Sequence, residues 1–121
     1  VIGLAGIVFF RTMMLQEIVE FYVSEIGMHV WLEQEDCVIL SHGNLLLGFC
    51  HRETPEVDGM ITFFYPTKED VDSMYDMLSH IATSQPTMNE KYQIYQFFAQ
   101  DTEGRALEFQ AFLHPVEPIG F

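Results

Sequence analysis

Glu108 is the residue of this chain best placed to do chemistry. It sits within Ala106-Leu107-Glu108-Phe109-Gln110-Ala111-Phe112, an extended apolar run. Strand alternation puts Glu108, Gln110 and Phe112 on one face, with Leu107, Phe109, Ala111 and Leu113 on the other. A carboxylate among such neighbours is costly when charged and unpaired. It must be protonated, paired with a cation, or waiting for a ligand that carries a positive charge or a hydrogen-bond donor. Two roles follow: a ligand anchor or general base, or a structural group bonded to Gln110, Thr62 or a tyrosine hydroxyl.

No other group of residues matches a familiar catalytic pattern. His29, His42, His51, His80 and His114 lack the four-residue spacing of a helical metal pair. Four of them read as surface or turn residues, and His51 is a pocket candidate. Trp31, beside Val30 and Leu32, fits either stacking on a planar ligand or a core or interface position. No glycine-rich phosphate loop, Ser-His-Asp arrangement or nucleophilic-cysteine signature is present. The acidic clusters Glu33-Glu35-Asp36 and Glu69-Asp70-Asp72-Asp76 read as solvated faces and a helix start.

Composition narrows the class. The chain has 121 residues, 49% of them hydrophobic, which is one domain's worth with ample apolar material. Five Lys and Arg against eighteen Asp and Glu give a formal charge of −13, which argues against nucleic acid and for attraction of cations. No apolar run approaches the roughly 20 residues that cross a bilayer, and Val1 to Phe10 lacks the features of a secretory signal. The expectation is a soluble, cytoplasmic protein. Cys37 and Cys50 are too few for a stapled scaffold or a four-thiolate zinc site.

The elements that carry these residues are written twice. Gly6-Ile7-Val8-Phe9-Phe10 and Met60-Ile61-Thr62-Phe63-Phe64 are matching β-prone runs about 54 residues apart. Each is followed by a helix, one on Ile18, Val19, Phe21, Tyr22 and Ile26, the other on Val71, Met74, Tyr75 and Leu78. Extended sequence follows each helix: Val30 to Leu32, Asp36 to Leu40 and Leu45 to His51, then Gln93 to Gln100 and Ala106 to Leu113. Residues 52–59 form a short polar connector. The fold class is α+β, a single domain over 1–121 with modules at about 4–52 and about 59–114.

A two-residue Gly43-Asn44 turn would pair His42 with Leu45, Leu40 with Leu47, Val38 with Phe49 and Cys37 with Cys50. Both faces of that hairpin are largely apolar, so both need cover, from a helix on one side and from a ligand, second sheet or partner on the other. The pairing permits a cross-strand disulfide, but a cytoplasmic redox poise favours two free thiols.

Asp101-Thr102-Glu103-Gly104-Arg105-Ala106-Leu107-Glu108-Phe109 resembles the D-P-[DE]-G-N-x-[LI]-E-[FL] hairpin of the vicinal oxygen chelate superfamily. That superfamily includes glyoxalase I, bleomycin-resistance proteins, extradiol dioxygenases and fosfomycin-resistance enzymes. Phe21-Tyr22 followed by Ile26-Gly27-Met28 is similar to its helix exit, and the doubled order matches its paired βαβββ modules. The resemblance implies a cup-shaped mixed sheet, a homodimer and, in the enzymes, one divalent metal held by four positions. Glu108 falls on one of these. The others fall on Met60, on Leu47 when the two hairpin turns are used as anchors, and on Gly6 or Ile7, none of which suits a hard metal.

A catalytic metal site normally keeps about three protein ligands and an open position. With Glu108 alone retained, the expected cofactor is none, and the alternative is one Zn, Ni, Mn or Fe ion with ligands recruited elsewhere, His51 and Gln110 among them. The cup lining expected from the resemblance is Glu108, Gln110, Thr62, Phe64, Met60, Leu47 and Phe49, with Trp31 and His51 at its margin. The favoured function is metal-independent binding of an aromatic or cationic small molecule. The alternative is a glyoxalase- or dioxygenase-like enzyme, and a third possibility is a regulatory or structural dimer whose cup is closed. The apolar faces and the end carrying Pro115, Pro118 and Phe121 also point to a homodimer.

Overall fold

The computed structural model describes residues 5–119; Leu4, near which the first module was expected to begin, and the terminal Phe121 lie outside them. The chain forms two compact units, one running to Val57 and taking in Ile119, the other Asp58–Pro118.

In the first unit, β1 (Ile7–Thr12) leads to α1 (Leu15–Phe21), which continues as a π-helical turn over Tyr22–Ile26 and ends at Gly27. Strands β2 (His29–Glu33), β3 (Cys37–His42) and β4 (Leu45–His51) follow. They assemble in the order β1-β4-β3-β2, with β1 parallel to β4 and the remaining pairs antiparallel. All four pairs expected across the Gly43-Asn44 turn are present. Gly43 takes φ 56°, the left-handed value that a hairpin turn with glycine in first place requires.

The second unit repeats this plan with β5 (Met60–Phe64), α2 (Lys68–Leu78), β6 (Thr87–Asn89), β7 (Ile94–Gln100) and β8 (Ala106–Phe112), ordered β5-β8-β7-β6. Helix α2 starts where Thr67 and Asp70 form a reciprocal capping box, each side chain accepting the other's backbone N–H at 3.1 Å. Three-residue β6 is too short to show in the hydrophobic pattern.

Each sheet buries one face under its own helix. In the second unit Phe63, Phe109 and Phe97 stack at centroid spacings of 5.4 and 4.9 Å, and Tyr75 of α2 meets Phe97 edge-on at 5.3 Å. In the first, Tyr22 packs on Phe49 at 5.1 Å, and Phe10 lies 6.2 Å from Phe49. Alternation then assigns the helix-free face of each sheet. That face carries Thr62, Glu108 and Gln110 in the second unit, and Phe9, Arg11, Gly48, Cys37 and Cys50 in the first.

Two sequence expectations are corrected here. Leu47 and Phe49 do not line an open face: both are fully buried on the helix side of the sheet, with Phe49 under Tyr22. The anchoring failed because the two hairpin turns differ in length. β3 and β4 close at His42 opposite Leu45, whereas β7 and β8 close at Gln100 opposite Ala106 across a five-residue loop. Matched by face, Phe49 corresponds to Phe109, and the position equivalent to Glu108 is Gly48. A Cβ there would come within 2.4 Å of the Phe9 ring, so that ring lies directly over the glycine. The second correction concerns the cysteines, which are joined as a disulfide between opposed residues with Cα atoms 4.1 Å apart.

Candidate functional site

On the open face of the second sheet, β5 and β8 run parallel with Thr62 opposite Glu108, while β7 brings Phe98 opposite Glu108 and Gln96 opposite Gln110. The carboxylate is engaged at both oxygens. Thr62 Oγ1 donates to Oε1 at 2.8 Å, and Gln96 Nε2 donates to Oε2 at 2.5 Å. The Thr62 contact was anticipated. Gln96 was not, although its alternation with Phe98 along Ile94–Gln100 is the signal that would have placed it beside Glu108.

The orientation of the Gln96 amide is fixed by this network, since its NH₂ must face the carboxylate. Its Oε1 is consequently left buried with no hydrogen-bond partner. A buried acceptor in that condition costs about 1–3 kcal/mol. Gln96 also lines a cleft of about 520 Å³, together with Ser84, Asn89, Glu90, Met88 and Phe98 among others. The walls are mostly polar, with carboxylate, amide and hydroxyl groups around the Met88 and Phe98 side chains.

Around this centre Met60 and Phe64 are half exposed, with Phe64 packed edge-on against Phe112 at 5.5 Å. Gln110 is buried, and its carbonyl accepts the Tyr65 N–H at 2.9 Å. Burial, aided by the charge of Asp70, pushes the Tyr65 phenol up to about 12.

The remaining expected site residues belong to the first unit. Trp31 sits where the β2–β3 register shifts, exposed on an edge strand. His51 is exposed at the end of β4, its N–H donating to the Asp36 carbonyl. The structure brings together Glu108, Thr62, Gln110, Phe64 and Met60, and it adds Gln96 and Phe98.

Among the described residues no three His, Cys, Asp or Glu side chains cluster to hold a metal. Both oxygens of Glu108 already accept neutral donors, and its counterpart in the first unit is a glycine under an aromatic ring.

No protein-family model matches the sequence, and neither does any curated protein. Solved structures do match in fold. A glyoxalase/bleomycin resistance protein/dioxygenase from Nocardioides aligns with a TM-score of 0.75 at 16% identity, covering 100% of this chain and 91% of its own. A family enzyme of the same description from Burkholderia phytofirmans PsJN aligns at 0.76 and 19% identity, covering 88% and 97%. Lactoylglutathione lyase from Agrobacterium tumefaciens aligns at 0.75 and 15% identity, covering 90% and 92%. The chain has the paired βαβββ fold of the vicinal oxygen chelate proteins. At these identities the likeness concerns fold alone.

Proposed function

We propose that the protein is a metal-independent small-molecule-binding protein, similar in mode to the bleomycin-resistance branch of its fold. The observation that carries this reading is the state of Glu108, whose carboxylate is held by Thr62 and Gln96 and so acts as a fixed hydrogen-bonding anchor. Gln96, which the carboxylate orients, lines the cleft, and its buried Oε1, without a hydrogen-bond partner, would accept an N–H or O–H donor from a ligand that reaches past the cleft wall. Glu90 on the same cleft and the charge of −13 favour a cation, and Phe98 offers a flat apolar contact for an aromatic one. A homodimer in the cytoplasm completes the reading. No helix among the described residues is long and apolar enough to cross a membrane.

The test is metal analysis and native mass spectrometry of the purified protein. Thermal-shift titrations with Zn²⁺, Ni²⁺, Mn²⁺ and Fe²⁺ follow, and then titrations with proflavine, a planar cation, and fluorescein, a planar anion. We expect no stoichiometric metal, a dimer mass, and stabilisation by proflavine alone that weakens about tenfold in affinity in Glu108→Gln, one charge-assisted hydrogen bond's worth. A stoichiometric ion that raises the melting temperature would replace this reading with a lyase, isomerase or dioxygenase built on a new ligand set.

A further inference from the structure

The Cys37–Cys50 disulfide lies on the open face of the first sheet and lines a cleft of about 380 Å³ that also contains Arg11 and Arg52. Three features of this place bear on its chemistry. The first is that the ladder, independent of the bond, holds the two cysteines opposite one another. β3 and β4 pair over six residues from Cys37↔Cys50 to His42↔Leu45, and the core of this hairpin is buried on the other face through Leu40, Leu47 and Phe49. Counting from the His42–Leu45 closure makes Cys37 and Cys50 a non-hydrogen-bonded pair, for which a Cα separation of about 4.5 Å is normal without any cross-link. Reduction therefore leaves two thiols still facing each other, ready to close again.

The second feature is access. Both sulfur-bearing residues line the cleft, and Cys50 is the more open of the two, since Cys37 keeps 8% of its surface. The third is charge. Arg11 stands in register beside Cys50 on the same face, and Arg52 follows two residues later. The Arg11 guanidinium pairs with Glu56 at 3.6 Å and that of Arg52 with Asp36 at 2.8 Å, and all four groups are about half exposed. Two of the chain's five Lys and Arg residues thus meet at its only pair of cysteines.

We propose that Cys37–Cys50 is a reversible thiol–disulfide exchange site for anionic low-molecular-weight thiols. An incoming thiolate, drawn by Arg11, attacks Cys50 Sγ. The Sγ–Sγ bond breaks, a mixed disulfide forms on Cys50, and Cys37 departs as a thiolate 3.5 Å from Asp36 Oδ1, a carboxylate whose charge Arg52 offsets through its 2.8 Å bond to Oδ2. A second thiolate then attacks the sulfur of the first in that mixed disulfide, releasing the small-molecule disulfide and the Cys50 thiolate. The protein gains two electrons, and two small thiols supply them. This proposal is independent of the ligand reading at Glu108.

The full-length oxidised protein is treated at equal thiolate concentrations with 3-mercaptopropionate, an anion, and cysteamine, a cation. Exchange is stopped by alkylation and read by mass. The expected starting material is lighter than the reduced chain by two hydrogens. With each rate divided by the same thiolate's rate on an uncharged small-molecule disulfide, mercaptopropionate should reduce it under native conditions about fivefold faster than cysteamine, the reach of one half-exposed ion pair, with a trapped adduct on Cys50. High salt should erase the difference, as should Arg11→Gln combined with Arg52→Gln; the salt arm keeps the test decisive if that variant folds poorly. The reduced protein should retain its circular dichroism and reoxidise. Two thiols that refuse to oxidise, a disulfide that yields only in denaturant, or cysteamine equalling mercaptopropionate would overturn the proposal.

Discussion

Replacing Arg105 by alanine is predicted to be the most damaging single change in the second unit. Arg105 is 1% exposed, and its guanidinium meets the carboxylates of Asp101 at 3.3 Å and Glu103 at 2.8 Å. Asp101 is itself tied into the turn, its Oδ1 accepting the backbone N–H of Glu103 at 2.9 Å and of Arg105 at 3.0 Å. Removing the cation takes a charged partner from two buried carboxylates, and breaking a buried pair in this way costs about 3–5 kcal/mol. With a urea m-value of about 2 kcal/mol/M, the midpoint should fall by roughly 1.5–2.5 M. The neutral triple variant Arg105→Met, Asp101→Asn and Glu103→Gln should recover most of that loss, because the penalty belongs to unpaired charge rather than to missing volume. Because β8 starts at Ala106, two residues before Glu108, the single variant should also weaken proflavine binding. Urea unfolding followed by circular dichroism reads the midpoints. A shift of under about 0.5 M for Arg105→Ala, near 1 kcal/mol, would refute the reasoning.

Three further outcomes can be checked. Gly48→Ala should cost about 1–3 kcal/mol, because its Cβ would occupy space held by the Phe9 ring; Phe9→Ala in the same chain should make the glycine substitution nearly neutral, as a double-mutant cycle would show. Burial holds the His42 imidazole below 6.5, outweighing a backbone hydrogen bond that raises it, and the neighbouring His29 lowers it further. The folded state therefore binds that proton less readily than the unfolded chain does. Its contribution to stability is complete above 6.5 and is lost as pH falls toward the folded value, so urea midpoints should drop between about pH 7.5 and about pH 5.5 by less in His42→Gln than in the parent. The Tyr95 hydroxyl donates to Asp72 at 2.5 Å, which raises its ionisation to about 12; Asp72→Asn should bring the phenolate absorbance transition down toward 10.

Much of the architecture was legible because local rules and global packing agree. The register of β3 on β4 follows from a two-residue turn, and the open face of β8 follows from alternation through Leu107, Glu108 and Phe109. What escaped has physical causes. Leu47 was misplaced because turns of unequal length shift the count by one, and one residue exchanges the two faces of a strand. Gln96 escaped because a glutamine in an apolar strand gains meaning only from its partner, and that partner lies 12 residues away. The burial of Arg105 was hidden for a similar reason, since a charged residue after a glycine turn ordinarily points to water. The disulfide depended on a redox argument about the cell, whereas the ladder had already set the cysteines face to face.

The cross-link at one end of the β3–β4 hairpin gives the opposite end an unusual freedom. The turn Gly43–Asn44 lies between Cys37 and Cys50, which are 13 positions apart and covalently joined. Cutting the backbone at that turn would not release a fragment, because the two pieces remain connected through sulfur as well as through the strand ladder. New chain termini placed at Asn44 and Gly43, or a reporter domain spliced between them, would begin life tethered at both ends. The oxidised protein therefore offers this tip as an entry point for circular permutation and insertion, and a chain nicked there would come apart only when denatured in the presence of a reductant.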